Sequence, residues 1–147
     1  MLNQKNFRPM KSLKKILYLL LSSFFVLSCE KIEDISGAYR LDFNYGFAGP
    51  GITGTSEGSR PSITITQDED IIQVDGNPGT IDSHNSISFS GDIVVDGTQH
   101  FLGNYDPSAG NITGSLTGTA VIDIFTGYSW EIYSVTITSG SCTLTPL

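Results

Sequence analysis

Apolar and polar residues alternate with a period of two through most of the chain from Gly37 onward. Tyr39, Leu41, Phe43 and Tyr45 fall on one side of an extended segment, and Arg40, Asp42 and Asn44 on the other. Successive side chains of a strand point to opposite faces, so this pattern predicts a half-buried strand. It returns in Ser62–Gln67, Ile71–Val74, Thr80–Asp82, Ser86–Ser90, Asp92–Val95 and Gln99–Tyr105. It returns again in Asn111–Thr117, Ala120–Thr126, Tyr128–Thr138 and Cys142–Thr145. Turn residues separate these segments, among them Asp68-Glu69-Asp70, Asp75-Gly76-Asn77-Pro78-Gly79, Asp96-Gly97 and Asp106-Pro107-Ser108-Ala109-Gly110. The expectation is an all-β domain of about eight to ten strands. It would be a single small antiparallel up-and-down β-barrel, with a two-sheet β-sandwich as the alternative. Hairpin-short connections favour the barrel. Gly46–Ser59 is the exception, with five glycines and one proline in 14 residues, and it reads as a long loop over the barrel mouth.

The first 28 residues follow another rule. Lys11, Lys14 and Lys15 lead into an apolar run from Ile16 to Leu27, then Ser28 and Cys29. A basic stretch, a short apolar stretch and a small residue before the cut define a secretory signal. The run is 12 residues and contains Ser22 and Ser23, short of the ~20 that a spanning helix needs. A cysteine directly after such a cut resembles the lipobox of bacterial lipoproteins. That resemblance implies a signal helix over 1–28, lipidation of Cys29, a tether over 29–36 and a β-barrel domain over 37–147. An uncleaved anchor or an ordinary signal peptide is the alternative, and Met10 rivals Met1 as the start. Glu30-Lys31-Ile32-Glu33-Asp34 resembles the acidic export tag of surface lipoproteins in the Bacteroidota. It implies a lipid-anchored protein of the bacterial outer membrane, displayed on the cell surface.

Removing that leader leaves three basic residues, Lys31, Arg40 and Arg60, against fifteen acids, a net charge of about −12. Phosphate backbones are bound through Lys and Arg, so nucleic acid is excluded as a partner. Anionic lipid is unfavourable too, and attachment to the membrane falls to the acyl chains. From Cys29 on there are 15 Ile and 14 Thr against 4 Ala and 5 Leu, a balance that disfavours helix. With Cys29 lipidated, Cys142 has no disulfide partner, and in Ser141-Cys142-Thr143-Leu144 it reads as a small buried hydrophobe.

Gly37-Ala38-Tyr39 followed by a long glycine-rich segment resembles the start of the lipocalins and calycins. There Gly-x-Trp precedes a lid-like first loop at the barrel mouth. Tyr stands here in place of Trp, and no Lys or Arg follows Arg60. The resemblance implies a closed barrel with a ligand held under that loop.

Motifs for catalysis are present in letters only. Gly49-Pro50-Gly51-Ile52-Thr53-Gly54 matches G-x-G-x-x-G, but a phosphate cradle needs a helix to follow. Gly54-Thr55-Ser56-Glu57-Gly58 matches G-x-S-x-G, but a nucleophile elbow needs a strand-to-helix turn, and His84 or His100 would be its base only by accident of folding. Two histidines without close spacing make no zinc site. Asp75, Asp92, Asp96 and Asp106 lie where hairpin turns ask for Asp, which leaves a structural Ca²⁺ as the lesser reading. Glu57, Glu69 and Glu131 show no pairing for glycoside hydrolysis. No catalytic residue, metal or cofactor is expected.

The aromatic residues remain, with Tyr39, Phe47, Tyr128 and Trp130 as the candidates to line a ligand site. Tyr128 and Trp130 share a strand face, and Tyr133 falls on the other. The expected function is a non-enzymatic cell-envelope binding protein, lipocalin-like, that holds a small apolar or amphipathic ligand beneath Gly46–Ser59. One alternative is a surface protein–protein interaction or inhibitor module, which a filled core with an exposed apolar patch would favour. Another is a carbohydrate-binding accessory protein, with Trp130 or Tyr128 flat on the surface.

Overall fold

Eight strands follow one another round a closed barrel, each antiparallel to the last, and the ring shuts where the final strand pairs with the first. The computed structural model describes residues 31–147. The leader over 1–28, both candidate starts and the lipidation position Cys29 lie outside the described residues. The strands are β1 (Gly37–Gly49), β2 (Ile52–Asp68), β3 (Ile71–Val74) and β4 (Asn77–Ile81), then β5 (Ser86–Gly91), β6 (Gln99–Asp106), β7 (Asn111–Phe125) and β8 (Trp130–Pro146). The barrel expectation holds and the sandwich does not. No helix among the described residues is long and apolar enough to cross a membrane.

The strands are of two lengths. β1, β2, β7 and β8 run 13, 17, 15 and 17 residues, whereas β3 to β6 run 4 to 8. β3 pairs only with the last residues of β2, and β6 only with the first half of β7. The ring is therefore complete near the end that carries Gly37 and Pro146. Beyond it a four-stranded wall, ordered β2-β1-β8-β7, rises on one side of the mouth.

This arrangement corrects the expected long loop. Gly46–Ser59 is the upper part of the β1–β2 hairpin, laddered as far as Gly49 opposite Ile52. Pro50 and Gly51 alone make the turn, with Gly51 at φ 72°, the positive φ a Pro-Gly turn requires. The other glycines serve packing. Phe43 stands opposite Gly58 and Phe47 opposite Gly54, and a Cβ on either glycine would lie 2.8 or 2.7 Å from the facing ring. Each ring lies across the partner strand where that strand has no side chain.

Other boundaries move as well, among them the start of β4, which is at Asn77 inside the expected Asp75–Gly79 turn. Asp92–Val95 is not a strand but part of the loop between β5 and β6. The two strands expected on either side of Gly118 are one, β7, as are the two expected around Gly140 in β8. Register shifts between Ser115 and Gly118 and between Gly46 and Phe47 interrupt the alternation without ending the strands, as β-bulges do.

Leu41, Ile63, Ile65, Ile72, Ile87, Phe89, Phe101, Ile112, Leu116 and Leu144 are among the side chains that fill the interior. Phe89 and Phe101 stack with centroids 4.7 Å apart. Glycine makes room for them: a Cβ on Gly114 would come within 2.6 Å of Phe101 Cζ. Alternating large and small residues in this way fills a small barrel.

The end near Gly37 and Pro146 is closed by residues expected to be tether. Ile35 is buried. Its N–H donates to Gln67 Oε1 at 2.9 Å, and Gln67 Nε2 donates to the carbonyls of Glu33 and Glu69 at 3.0 and 2.8 Å. Tyr39 Oη donates to the Ile35 carbonyl at 2.9 Å. Ile32 also packs against the core, so the segment from Ile32 is the floor of the barrel.

Candidate functional site

At the mouth, one buried amide organises the loop between β5 and β6. Gln99 is fully buried. Its Oε1 accepts the N–H groups of Ile93 and Val94 at 2.8 and 3.1 Å, and its Nε2 donates to the carbonyls of Val95 and Thr119 at 3.1 and 2.8 Å. A buried amide has both its ends satisfied here, as a dry interior requires. Arg60 pins the same loop from the other side. Its Nη1 donates to the Ile93 carbonyl at 2.7 Å, while Nη2 bonds Asp75 Oδ2 at 2.8 Å. Ile93 is thereby driven into the core, and the interior below is packed.

Above this plug lies an open cleft of about 360 Å³, within the range of small-ligand sites. Tyr45, Phe47 and Val95 contribute aromatic and aliphatic surface. Thr55 and Ser56 of β2 form one side, and Val121, Ile122, Asp123 and Ile124 of β7 the other. Phe43, Tyr45 and Phe47 follow one another up the inner face of β1, with successive ring centroids 6.1 and 6.2 Å apart. The last two reach the cleft. It sits on the open side of the mouth because β3 to β6 stop short of it.

Of the four residues expected to line a ligand site, Phe47 does so. Tyr39 does not: it is buried at the far end, hydrogen-bonded to Ile35. Burial first, then the neighbouring Tyr105 and Asp34, push its hydroxyl above the ordinary value. Tyr128 and Trp130 do not either. They sit at the tip of the β7–β8 hairpin, 99 % and 70 % exposed. Trp130 packs on Phe125 across the ladder, centroids 5.4 Å apart, beside exposed Ile132. Their face is the outer one, since Ile122 and Tyr133, of opposite parity, pack towards the core. The expected sharing of roles thus divides into an inner cleft around Phe47 and an outer tip around Trp130.

The sequence does not mark Tyr45, Thr55, Ser56, Val95 or the 121–124 segment as lining, although Thr55 and Ser56 stand in its G-x-S-x-G match and within the segment expected to cover the ligand. Tyr45 was legible only as one of four apolar positions on a strand. The others became neighbours through strand lengths that no local pattern announces.

The catalytic motifs dissolve in the fold. Gly54-Thr55-Ser56-Glu57-Gly58 is straight strand within β2, and Gly49–Gly54 is the hairpin turn and its flanks. His100 Nδ1 lies 2.7 Å from Ser90 Oγ, and His84 stands in the β4–β5 turn, its N–H bonded to Asp82 Oδ1 at 2.9 Å. Among the described residues no three His, Cys, Asp or Glu side chains are grouped to hold a metal ion. Asp106 accepts from the Ser108 hydroxyl and N–H, which lowers its carboxyl below the usual range; this is turn chemistry. Burial pushes the Cys142 thiol up to about 12, so it is no nucleophile at neutral pH.

No protein-family model matches the chain, and no curated protein or solved structure matches it at a significant level.

Proposed function

We propose that this protein is a lipid-anchored, non-enzymatic binding protein of the bacterial outer membrane. It holds a small apolar or amphipathic ligand in the mouth cleft. The observation that carries this reading is the cleft itself, with Tyr45 and Phe47 at its base and hydroxyl and carboxylate groups from Thr55, Ser56 and Asp123 at its sides. Aromatic and aliphatic surface stands here beside hydroxyl and carboxylate groups in nearly equal share, which suits a ligand with both an apolar and a polar part. Acylation at Cys29 supplies the attachment, and the acidic residues that follow it support display on the cell surface.

The test is native mass spectrometry of the full chain, purified in mild detergent from its own host. A small-molecule mass that leaves on denaturation is expected, and a Phe47→Ser variant should lose it. Retention of the same mass by Phe47→Ser would place the ligand elsewhere and sink the reading.

A second reading stands on the hairpin tip. Phe125, Tyr128, Trp130 and Ile132 are all exposed there, and contiguous exposed apolar surface marks an interaction site. In this reading the barrel is a surface module that meets a protein or a carbohydrate through the tip. Chemical cross-linking on the intact cell, compared between the wild type and Trp130→Ser, tests it.

A further inference from the structure

The cleft is lined in an unusual order. Four consecutive residues of β7, Val121 to Ile124, and two of β2, Thr55 and Ser56, all border it. Consecutive strand side chains point to opposite faces, so a space that borders four in a row is reached by the edge of the strand. A strand edge presents backbone N–H and C=O groups.

Both edges are unpaired among the described residues. The outer ladder of β2 begins at Ile65 opposite Val74, with Thr64 bonded to Asp75, which leaves Ile52–Ser59 without an outer neighbour. That of β7 ends with the bonds from Thr119 N–H to the Thr98 carbonyl and from Val121 N–H to the Asp96 carbonyl, which leaves Ile122–Phe125. Two open edges therefore face one cleft whose base is apolar. Unpaired edges of this kind are templates for an added strand.

We propose that the cleft takes an extended peptide segment, which adds as a strand against the upper edges of β2 and β7. The proposal rests on the mouth cleft being the ligand site and names the ligand class. Main-chain bonds to the edges supply affinity, and alternate side chains supply selection. One set turns down onto Tyr45, Phe47 and Ile122, and so is apolar. Asp123 lines the cleft, and exposed Glu57 and Asp96 follow the lining residues Ser56 and Val95 in the chain. The two arginines of the domain are engaged, Arg40 with Asp42 and Arg60 with Asp75, so the mouth calls for Lys or Arg at the peptide ends. A second copy of this acidic chain would bring like charges to the same edges.

The probe is the blocked heptapeptide Lys-Ile-Thr-Val-Thr-Ile-Lys, titrated into the full chain in mild detergent. Two controls accompany it, one N-methylated at alternate amides and one with Glu for both Lys. Calorimetry reads affinity, and amide hydrogen exchange reads the edges. The expected result is saturable one-site binding, slowed exchange in 52–59 and 122–125, and at least a tenfold loss with either control. Asp123→Lys should weaken the parent peptide at least fivefold and leave the unfolding midpoint in place. Equal binding of the N-methylated peptide overturns strand addition. So does protection of both edges by self-association without peptide.

A neutral amphiphile, N-phenyl-1-naphthylamine, separates the two levels. If it binds in a Phe47-dependent way while the peptides do not, the cleft stands and the peptide class falls. If neither binds, both fall.

Discussion

Gln99 Oε1 accepts the backbone N–H of Ile93 at 2.8 Å, and that bond fixes where the barrel interior stops and the mouth begins. Gln99→Leu would keep the volume and strip partners from the Ile93 and Val94 N–H groups and from two carbonyls. Buried polar groups left unpaired cost about 1–3 kcal/mol. We expect Gln99→Leu to lose about 3 kcal/mol in urea unfolding and to speed amide exchange selectively in residues 92–98.

Gly114 and Gly103 face each other across β6 and β7 beneath the Phe101 ring. The space a Cβ would need is already taken by that ring and by the Leu102 carbonyl. Overpacking of a filled core costs about 1–3 kcal/mol, so Gly114→Ala should destabilise by about 2 kcal/mol. Combining it with Phe101→Leu should recover part of the loss, as a coupled pair does. Thermal unfolding of the four variants of the cycle reads this directly.

Cys142 ties stability to alkaline pH. Its thiol is pushed up to about 12 from an ordinary 9.0 by burial, so the unfolded chain gives up that proton first. A group raised on folding leaves stability intact below its unfolded value and loses it as pH climbs to the folded one. The urea midpoint should fall between pH 9 and pH 12, and less steeply in Cys142→Ala. Tyr39, also raised by burial, will keep some slope in that variant. At pH 8 the folded chain should leave Cys142 unmodified by an aromatic disulfide reagent, and urea should release it.

The chain has one tryptophan, and its 70 % exposure gives a simple optical test. Folded protein should emit close to an indole in water and be quenched freely by acrylamide. Trp130→Ser should shift the unfolding midpoint little, because surface substitutions usually stay within about 0.5 kcal/mol. The same change should shorten retention on a phenyl matrix, which Phe47→Ser should affect less.

Strand identity was legible wherever alternation was strict and turn chemistry local. Ile71–Val74 is β3 to the residue, and Asp75-Gly76, both at positive φ, is the two-residue turn that follows, as such a pair favours. Gly46–Ser59 was misread because glycine count marks flexibility only when nothing packs on it. Here Gly54 and Gly58 sit under Phe47 and Phe43, a pairing across strands that is invisible until register is known. Asp92–Val95 was misread for the opposite reason. Ile93 is buried and Val94 and Val95 half-buried, as in a strand, but Gln99, a residue from the next strand, holds them there. The candidate site suffered most. Trp130 looks like a lining residue on its own strand, yet the bulge between Ser115 and Gly118 and the height of the wall decide which way it faces. The cleft depends on where β3 to β6 end, which is a property of the whole ring.

Seven of the eight ladders join strands that are neighbours in the chain, and the eighth joins Tyr39 to Pro146 and Phe43 to Cys142. That last seam cannot form until synthesis has reached the final residues, and contacts this distant in sequence are slow to find. For a polypeptide threaded N-terminus first through a secretion channel, as the proposed leader requires, late closure is useful. Under the proposed export, the ring would stay open, and the chain able to pass, until the β8 strand has followed it across.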